Sequence, residues 1–137
     1  MEKNIAAIRQ TYSQKELLEK DAASNPIKQF EQWWNDAVNA EISEVNAMTL
    51  ATAAADGMPS ARIVLLKDFS EQGFSFFTNY ESYKGRQLAE NPKACLVFFW
   101  KEMERQVRIT GLVQQLPEAD SDAYFYSRPI ESQAGAI

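Results

Sequence analysis

From residue 25 onward, apolar and polar positions follow two distinct rhythms. The first is helical. Ile27, Phe30, Trp33, Trp34, Ala37 and Val38 recur at three- and four-residue intervals and form one apolar stripe. Asn25-Pro26 ahead of it supplies an N-cap and a first helical residue, where a missing N–H does no harm. The adjacent tryptophans read most simply as core anchors. Residues 1–24 are polar and irregular, with a short helical stretch expected around residues 5–12.

The second rhythm is that of strands. Strands are predicted over Ala47–Ala53, 60–67, 74–78, 94–100 and 105–114. Asp56-Gly57 marks a turn between the first two, and Gly73 ends a polar loop before the third. Residues 82–90 read as a short helix stopped by Asn91-Pro92. Every position from 94 to 100 is apolar, which predicts a strand covered on both faces. Pro117 opens a last helix to about residue 127, limited by Pro129. Five short strands joined mostly by tight turns, with helices outside the run, predict a mainly β (α+β) fold, an antiparallel barrel with flanking helices. The chain divides into an arm, 1–24, and one domain, 25–137.

Composition narrows the chemistry. A chain of 137 residues is one domain's worth and buries roughly two-thirds of its unfolded surface. The net charge of −5 argues against a nucleic-acid partner, since phosphate backbones call for a basic surface. No apolar run is long enough to span a bilayer, and no apolar signal-peptide core follows the N-terminus, so no membrane association and a cytoplasmic location are expected. Cys95 is the one cysteine, which fits a reducing compartment. Histidine is absent from the sequence. Serine or cysteine nucleophiles activated by histidine are thereby excluded, as are histidine-based metal sites. No catalytic side chain and no metal ligand is assigned, and a bound organic cofactor is the natural carrier of any reactivity.

Four polar groups stand at predicted strand ends and turns. Arg62 and Lys67 bracket the apolar run Ile63-Val64-Leu65-Leu66. Two cations there suit a phosphate or an anionic ring, but alternation puts them on opposite faces of a straight strand, and the plainer reading is two solvated charges. The run Phe77-Thr78-Asn79-Tyr80-Glu81-Ser82-Tyr83-Lys84 leads from a strand through a polar turn into a helix N-terminus, which favours anions; alternatively Ser82 is only a cap. Gln106 and Arg108 share one face of their strand, with Val107 and Ile109 on the other. Tyr124 and Arg128, four apart on the predicted last helix, share a face, and Ser132 follows just past Pro129.

Taken in order, these segments resemble the pyridoxine/pyridoxamine phosphate oxidase family. The matching residues are Arg62 through Lys67, then Phe76-Phe77-Thr78-Asn79-Tyr80, Lys84-Gly85, Asn91-Pro92 and Phe98-Phe99-Trp100. Arg105-Gln106-Val107-Arg108, Gly111, Tyr124-Phe125, Ser127-Arg128-Pro129 and Ser132-Gln133-Ala134-Gly135-Ala136 follow. Arg9-Gln10-Thr11-Tyr12 is similar to the family's N-terminal lid, so the resemblance covers nearly the whole chain.

The resemblance implies an FMN-binding split barrel working as a homodimer, with FMN at the interface. It implies oxidation of pyridoxamine or pyridoxine 5'-phosphate to pyridoxal 5'-phosphate with O2 as acceptor. Arg62, Thr78 and Lys84 would then hold the FMN phosphate and ribityl chain. Ile63, Val64, Leu65, Leu66, Lys67 and Phe77 would line the flavin, and Gln106 would reach it from the partner subunit. Arg9, Tyr12, Lys67, Tyr124, Arg128 and Ser132 would bind the substrate. Tyr83 stands where the family usually has arginine, so a phenol replaces one phosphate contact. Family members also continue through a Gln-Ser pair, a Trp and an Arg-x-His segment, whereas this sequence ends at Ile137. A C-terminal part is therefore expected to be missing, with a flavin- or B6-phosphate-binding module of little or no turnover as the alternative reading.

Overall fold

An asparagine sets the start of the aromatic helix. In the computed structural model, which describes residues 4–9, 18–20, 22–77, 83–116 and 122–136 (the backbone alone at 83–86 and 122–136), Asn25 Oδ1 accepts from the amides of Ile27 at 2.7 Å and Lys28 at 3.4 Å. Those bonds satisfy two of the free N–H groups opening helix α1, Pro26–Asn39. Most of its predicted stripe is buried: Phe30, Trp33 and Ala37 are buried, Ile27 and Trp34 half-buried, and Val38 at the stripe's edge is exposed. Upstream, among the described residues, a 3-10 turn, Ile5–Ala7, stands within the expected short helix, of which residues 10–12 lie outside the described residues.

Among the described residues six strands follow: β1 Ala47–Ala53, β2 Pro59–Ser70, β3 Gly73–Phe77, β4 Lys93–Trp100, β5 Arg105–Gln115 and β6 Asp122–Ala136. A short helix, α2 Tyr83–Glu90, connects β3 to β4. All pairings are antiparallel and the order β1-β2-β3-β6-β5-β4 closes on itself as a barrel. The β1–β2 hairpin turns where the sequence indicates. Gly57 takes a φ of 92°, Gly57 N–H donates to the Ala54 carbonyl at 2.9 Å, and Asp56 Oδ1 accepts from the Met58 amide at 3.0 Å.

Apolar side chains of the described strands pack into the barrel's interior. Inward residues of several strands, among them Leu50, Phe74, Phe76, Leu96, Phe98 and Ile109, are almost wholly buried. Phe30 joins the helix to this core. The rings of Phe69 and Phe74 meet it edge-on at 4.9 Å and 5.0 Å, and Phe98 lies at 5.2 Å. Beside this cluster Arg105 ties β5 to α1. Its guanidinium stands 4.5 Å over the Trp33 ring, and its Nη1 donates to Asp36 Oδ2 at 2.9 Å.

Two expectations are corrected. The strand over 94–100 is covered on one face only: Ala94, Leu96, Phe98 and Trp100 are buried, while Cys95 and Val97 are half-buried and Phe99 is exposed. An apolar sequence at every position therefore reports an outer surface that this chain alone leaves open. The last helix, expected from residue 117 to about 127, is absent at 122–136, where the chain forms β6 instead. The reason is closure. β3 and β5 each offer a free edge, and β6 pairs with both, Phe74 opposite Phe125 and Val113 opposite Phe125. Pro129 lies between the paired residues Ser127 and Ser132, where two residue steps on β5 (Ile109 to Gly111) are matched by five on β6. A residue without an N–H is accepted there because no ladder bond is asked of it.

Phe30→Ala should lower unfolding free energy by about 3–5 kcal/mol in a denaturant titration, since it empties the centre of the aromatic cluster. Val38→Ala, on the exposed side of the same helix, should stay within about 0.5 kcal/mol.

Candidate functional site

Strand β2 carries most of the residues singled out by sequence, and its alternation sorts them onto two faces. Ser60, Arg62, Val64 and Leu66 face inward, opposite the buried side of β1: Thr52 faces Ser60, Leu50 faces Arg62 and Met48 faces Val64. Ile63, Leu65 and Lys67 face outward. At Lys67 the β2–β3 register slips by one residue, Leu66 standing opposite Phe76 and Asp68 opposite Ser75. The strand thus bends where a shared ligand for Arg62 and Lys67 would require it. Even so the two cations lie on different faces, with Lys67 Nζ placed 4.2 Å over the outer ring of Phe77. Val64 and Leu66 belong to the core, so their side chains do not share the outer surface with Ile63 and Leu65.

On the inner face Arg62 sits in a polar mouth roofed by α2. Its Nη1 donates to the Leu50 carbonyl at 3.0 Å and to Thr52 Oγ1 at 2.8 Å, and its Nη2 donates to Gln87 Oε1 at 3.0 Å. Thr52 Oγ1 bonds Gln87 Oε1 at 2.6 Å, and Gln87 Nε2 donates to Ser60 Oγ at 3.2 Å. The backbone of Lys84 lies one helical turn before Gln87, so α2 brings the position of Lys84 to the same end of the barrel as Arg62.

The edge of β2 is open here. Pairing with β3 begins only at Leu66, so among the described residues the stretch 59–65 is bonded to β1 alone. Its outer edge presents main-chain N–H and C=O groups between the inner cation and the outer apolar side chains. Those side chains are conspicuously exposed for hydrophobic residues: Ile63 66%, Leu65 56% and Phe77 55%.

Gln106 and Arg108 lie on the outer face of β5, with Val107 and Ile109 buried beneath, as the alternation predicts. Within one chain they are not next to β2. Strands β4 and β1 intervene, three interstrand steps or roughly 14 Å around the wall. On the backbone, Tyr124 stands opposite Ser75 and Gln114, and Ser132 opposite Ile109, while Arg128 falls in the extra residues between paired positions. Arg9 is exposed in the arm. Tyr12 and Thr78 lie outside the described residues, as do the side chains of Tyr83, Lys84, Tyr124, Arg128 and Ser132.

Sequence reasoning missed Thr52, Ser60 and Gln87. Their one signal is weak: polar side chains at positions whose neighbours in the pattern are apolar and buried, Thr52 after Met48 and Leu50, and Gln87 beside Leu88.

Comparison with known proteins identifies the family. A family model described as pyridoxamine 5'-phosphate oxidase matches residues 34–137. A pyridoxine/pyridoxamine 5'-phosphate oxidase from Thermosynechococcus vestitus is 61% identical over 132 residues, covering 96% of this chain and 63% of that protein. The chain thus spans somewhat under two-thirds of the length of that relative. Among solved structures, PhzG from Burkholderia lata, crystallised with tetrahydrophenazine-1-carboxylic acid, superposes with a TM-score of 0.71 at 34% identity, over 74% of this chain and 52% of that one. A pyridoxamine 5'-phosphate oxidase-related, FMN-binding protein from Nostoc punctiforme shares the fold at a TM-score of 0.58 and 21% identity, over 67% of this chain and 48% of that one. With a family match across 34–137 and a barrel of the same architecture, the chain belongs to the pyridoxamine 5'-phosphate oxidase family.

Proposed function

We propose that this chain binds FMN along the open edge of β2 and contributes to the oxidation of pyridoxamine or pyridoxine 5'-phosphate to pyridoxal 5'-phosphate. The observation that carries the reading is the composite character of that edge. A guanidinium lies on its inner side, a main-chain edge that β3 does not pair before Leu66 runs along it, and apolar Ile63, Leu65 and Phe77 stand outside. FMN is a planar ring with carbonyl and N–H groups at one end and a phosphate on a flexible tail, so the donor set fits the group. Arg62, Thr78, Tyr83 and Lys84 hold its phosphate and ribityl chain, and Ile63, Val64, Leu65, Leu66, Lys67 and Phe77 line its ring through main chain or side chain. The chemistry that FMN would supply when bound is hydride acceptance from the substrate carbon bearing the amine or alcohol, with O2 as the final electron acceptor. The protein's own task is to hold two phosphates and align two rings. Arg9, Tyr12, Lys67, Tyr124, Arg128 and Ser132 take the substrate.

The working unit in this reading is a homodimer. The roughly 14 Å between β5 and β2 keeps Gln106 away from a flavin on its own chain's β2 edge. A two-fold contact through the outer face brings the partner's copy to it. That face carries the exposed Ile63, Leu65 and Phe99, the kind of apolar surface an interface covers. The 63% span against a relative's length favours a second reading for this stretch of chain on its own, a flavin- or B6-phosphate-binding module with little turnover. An oxidase assay on the purified yellow protein separates the two: bleaching of the flavin by pyridoxamine phosphate without oxygen supports the enzyme, and a yellow protein that never bleaches supports the module.

Three outcomes test the assignment. Arg62→Ala should weaken FMN by about ten- to a hundredfold, the loss of a charge-assisted contact of roughly 1.5–3 kcal/mol, while riboflavin changes little. An unchanged FMN dissociation constant by fluorescence quenching would sink it. Arg128→Ala should weaken pyridoxal phosphate far more than FMN in equilibrium titrations, and equal loss of both would show the two sites wrongly divided. Light scattering at micromolar concentration should report a dimer that Phe99→Asp converts to monomer; a wild-type monomer would overturn the interface.

A further inference from the structure

The mouth of the barrel holds a closed ring of three side chains whose proton directions are fixed by chemistry. Arginine only donates. Thr52 Oγ1 therefore accepts from Arg62 Nη1 at 2.8 Å, and its single proton goes to Gln87 Oε1, 2.6 Å away. Gln87 Oε1 takes that bond and a second from Arg62 Nη2 at 3.0 Å. The amide orientation follows, because the flipped Gln87 would turn its NH2 toward the N–H of Arg62. The remaining end of Gln87 donates to Ser60 Oγ at 3.2 Å, tying α2 to β2 on the far side. Gln87 is 2% exposed and Thr52 5%, so these two members are shut away from solvent, while Arg62 is half-buried.

The three members stand far apart in sequence, Gln87 being 25 residues from Arg62 and 35 from Thr52, and they come from β1, β2 and α2. A guanidinium held at both terminal nitrogens is fixed in plane as well as in position. The acceptor at the Nη2 end is an amide, so Gln87 directs the cation without bringing a formal charge of its own. A glutamate at 87 would make the same two bonds and place a formal negative charge against the guanidinium.

From this geometry we propose that Gln87 is a positioning residue: it fixes the plane and position of the Arg62 guanidinium beside the flavin phosphate, and so makes the site select the phosphorylated flavin over riboflavin. The inference rests on the FMN reading above. It assigns to the α2 helix a second role besides carrying Lys84, that of setting the direction of the cation on the neighbouring strand.

The test is the ratio of riboflavin to FMN dissociation constants, measured by flavin fluorescence quenching on wild-type protein and on Gln87→Met, Gln87→Glu and Arg62→Ala. A purely structural role for Gln87 would weaken both flavins together and leave the ratio unmoved. Gln87→Met removes the acceptor at similar length and should cut the ratio about tenfold, as expected for losing a directed charge-assisted bond, with riboflavin within about twofold of wild type. Gln87→Glu keeps the acceptor bonds and so guards against a variant that merely fails to fold; it should cut the ratio at least as far by offsetting the charge. Ratios unchanged in both Gln87 variants, beside a collapsed ratio in Arg62→Ala, would overturn this inference alone. A ratio near one in the wild type, or one that Arg62→Ala leaves intact, would overturn the FMN reading beneath it.

Discussion

A six-stranded barrel is too narrow to hold anything but its own side chains, and that limit decides where this protein can meet a ligand. The interior is taken by Leu50, Leu96, Phe98 and the paired aromatics of β3, with Phe30 of α1 closing on Phe69, Phe74 and Phe98. Binding has to happen at the rim or on the wall. β2 supplies both at once, because its inward residues change from apolar to polar along its length. Val64 and Leu66 are core, whereas Arg62 and Ser60, two and four residues nearer the hairpin, lie in a mouth lined by Thr52 and roofed by Gln87.

Much of this was legible in the sequence because it depends on short-range pattern. The cap at Asn25, the stripe from Ile27 to Ala37, the Asp56-Gly57 turn and five strands all follow from spacing and turn chemistry. β6 was not legible for a physical reason. Asp122–Ala136 contains three alanines, carries Pro129 inside it and places Tyr124 and Arg128 at a helical interval. Its extended conformation comes from the two strand edges waiting for it, a tertiary demand that local preference does not record. The uniformly apolar 94–100 misled in the opposite direction. Its pattern states that both faces are meant to be covered, but not by what, and in a single chain Phe99 is left exposed at 53%.

The candidate site was legible to the extent that its residues cluster along one strand. Arg62 and Lys67 were picked out by their place at the ends of an apolar run, and the structure puts a bulge at the second of them. Alternation correctly placed them on different faces, so a ligand touching both must cross the strand's edge rather than lie against one side. Gln87 and Thr52 left no comparable trace. Hydrogen-bond partners 25 and 35 residues away have no periodicity, and a glutamine in a short helix looks like any solvated surface residue until the helix is seen lying over β1 and β2.

An open strand edge beside an exposed apolar face invites unwanted pairing, and proteins ordinarily blunt such edges. Here the stretch 59–65 is bonded on one side among the described residues, and its outward side chains include Ile63 and Leu65. Left bare, the main-chain groups would recruit another strand and the side chains another surface. The FMN reading gives each exposed feature a partner. The ring covers the apolar side chains and the main-chain groups, the phosphate meets Arg62, and a second copy of the chain covers what remains and delivers Gln106. In this reading the features that make β2 a poor edge strand are the same ones that make it a flavin site, and ligand and dimer should stabilise each other, since the partner's Gln106 completes the flavin's site.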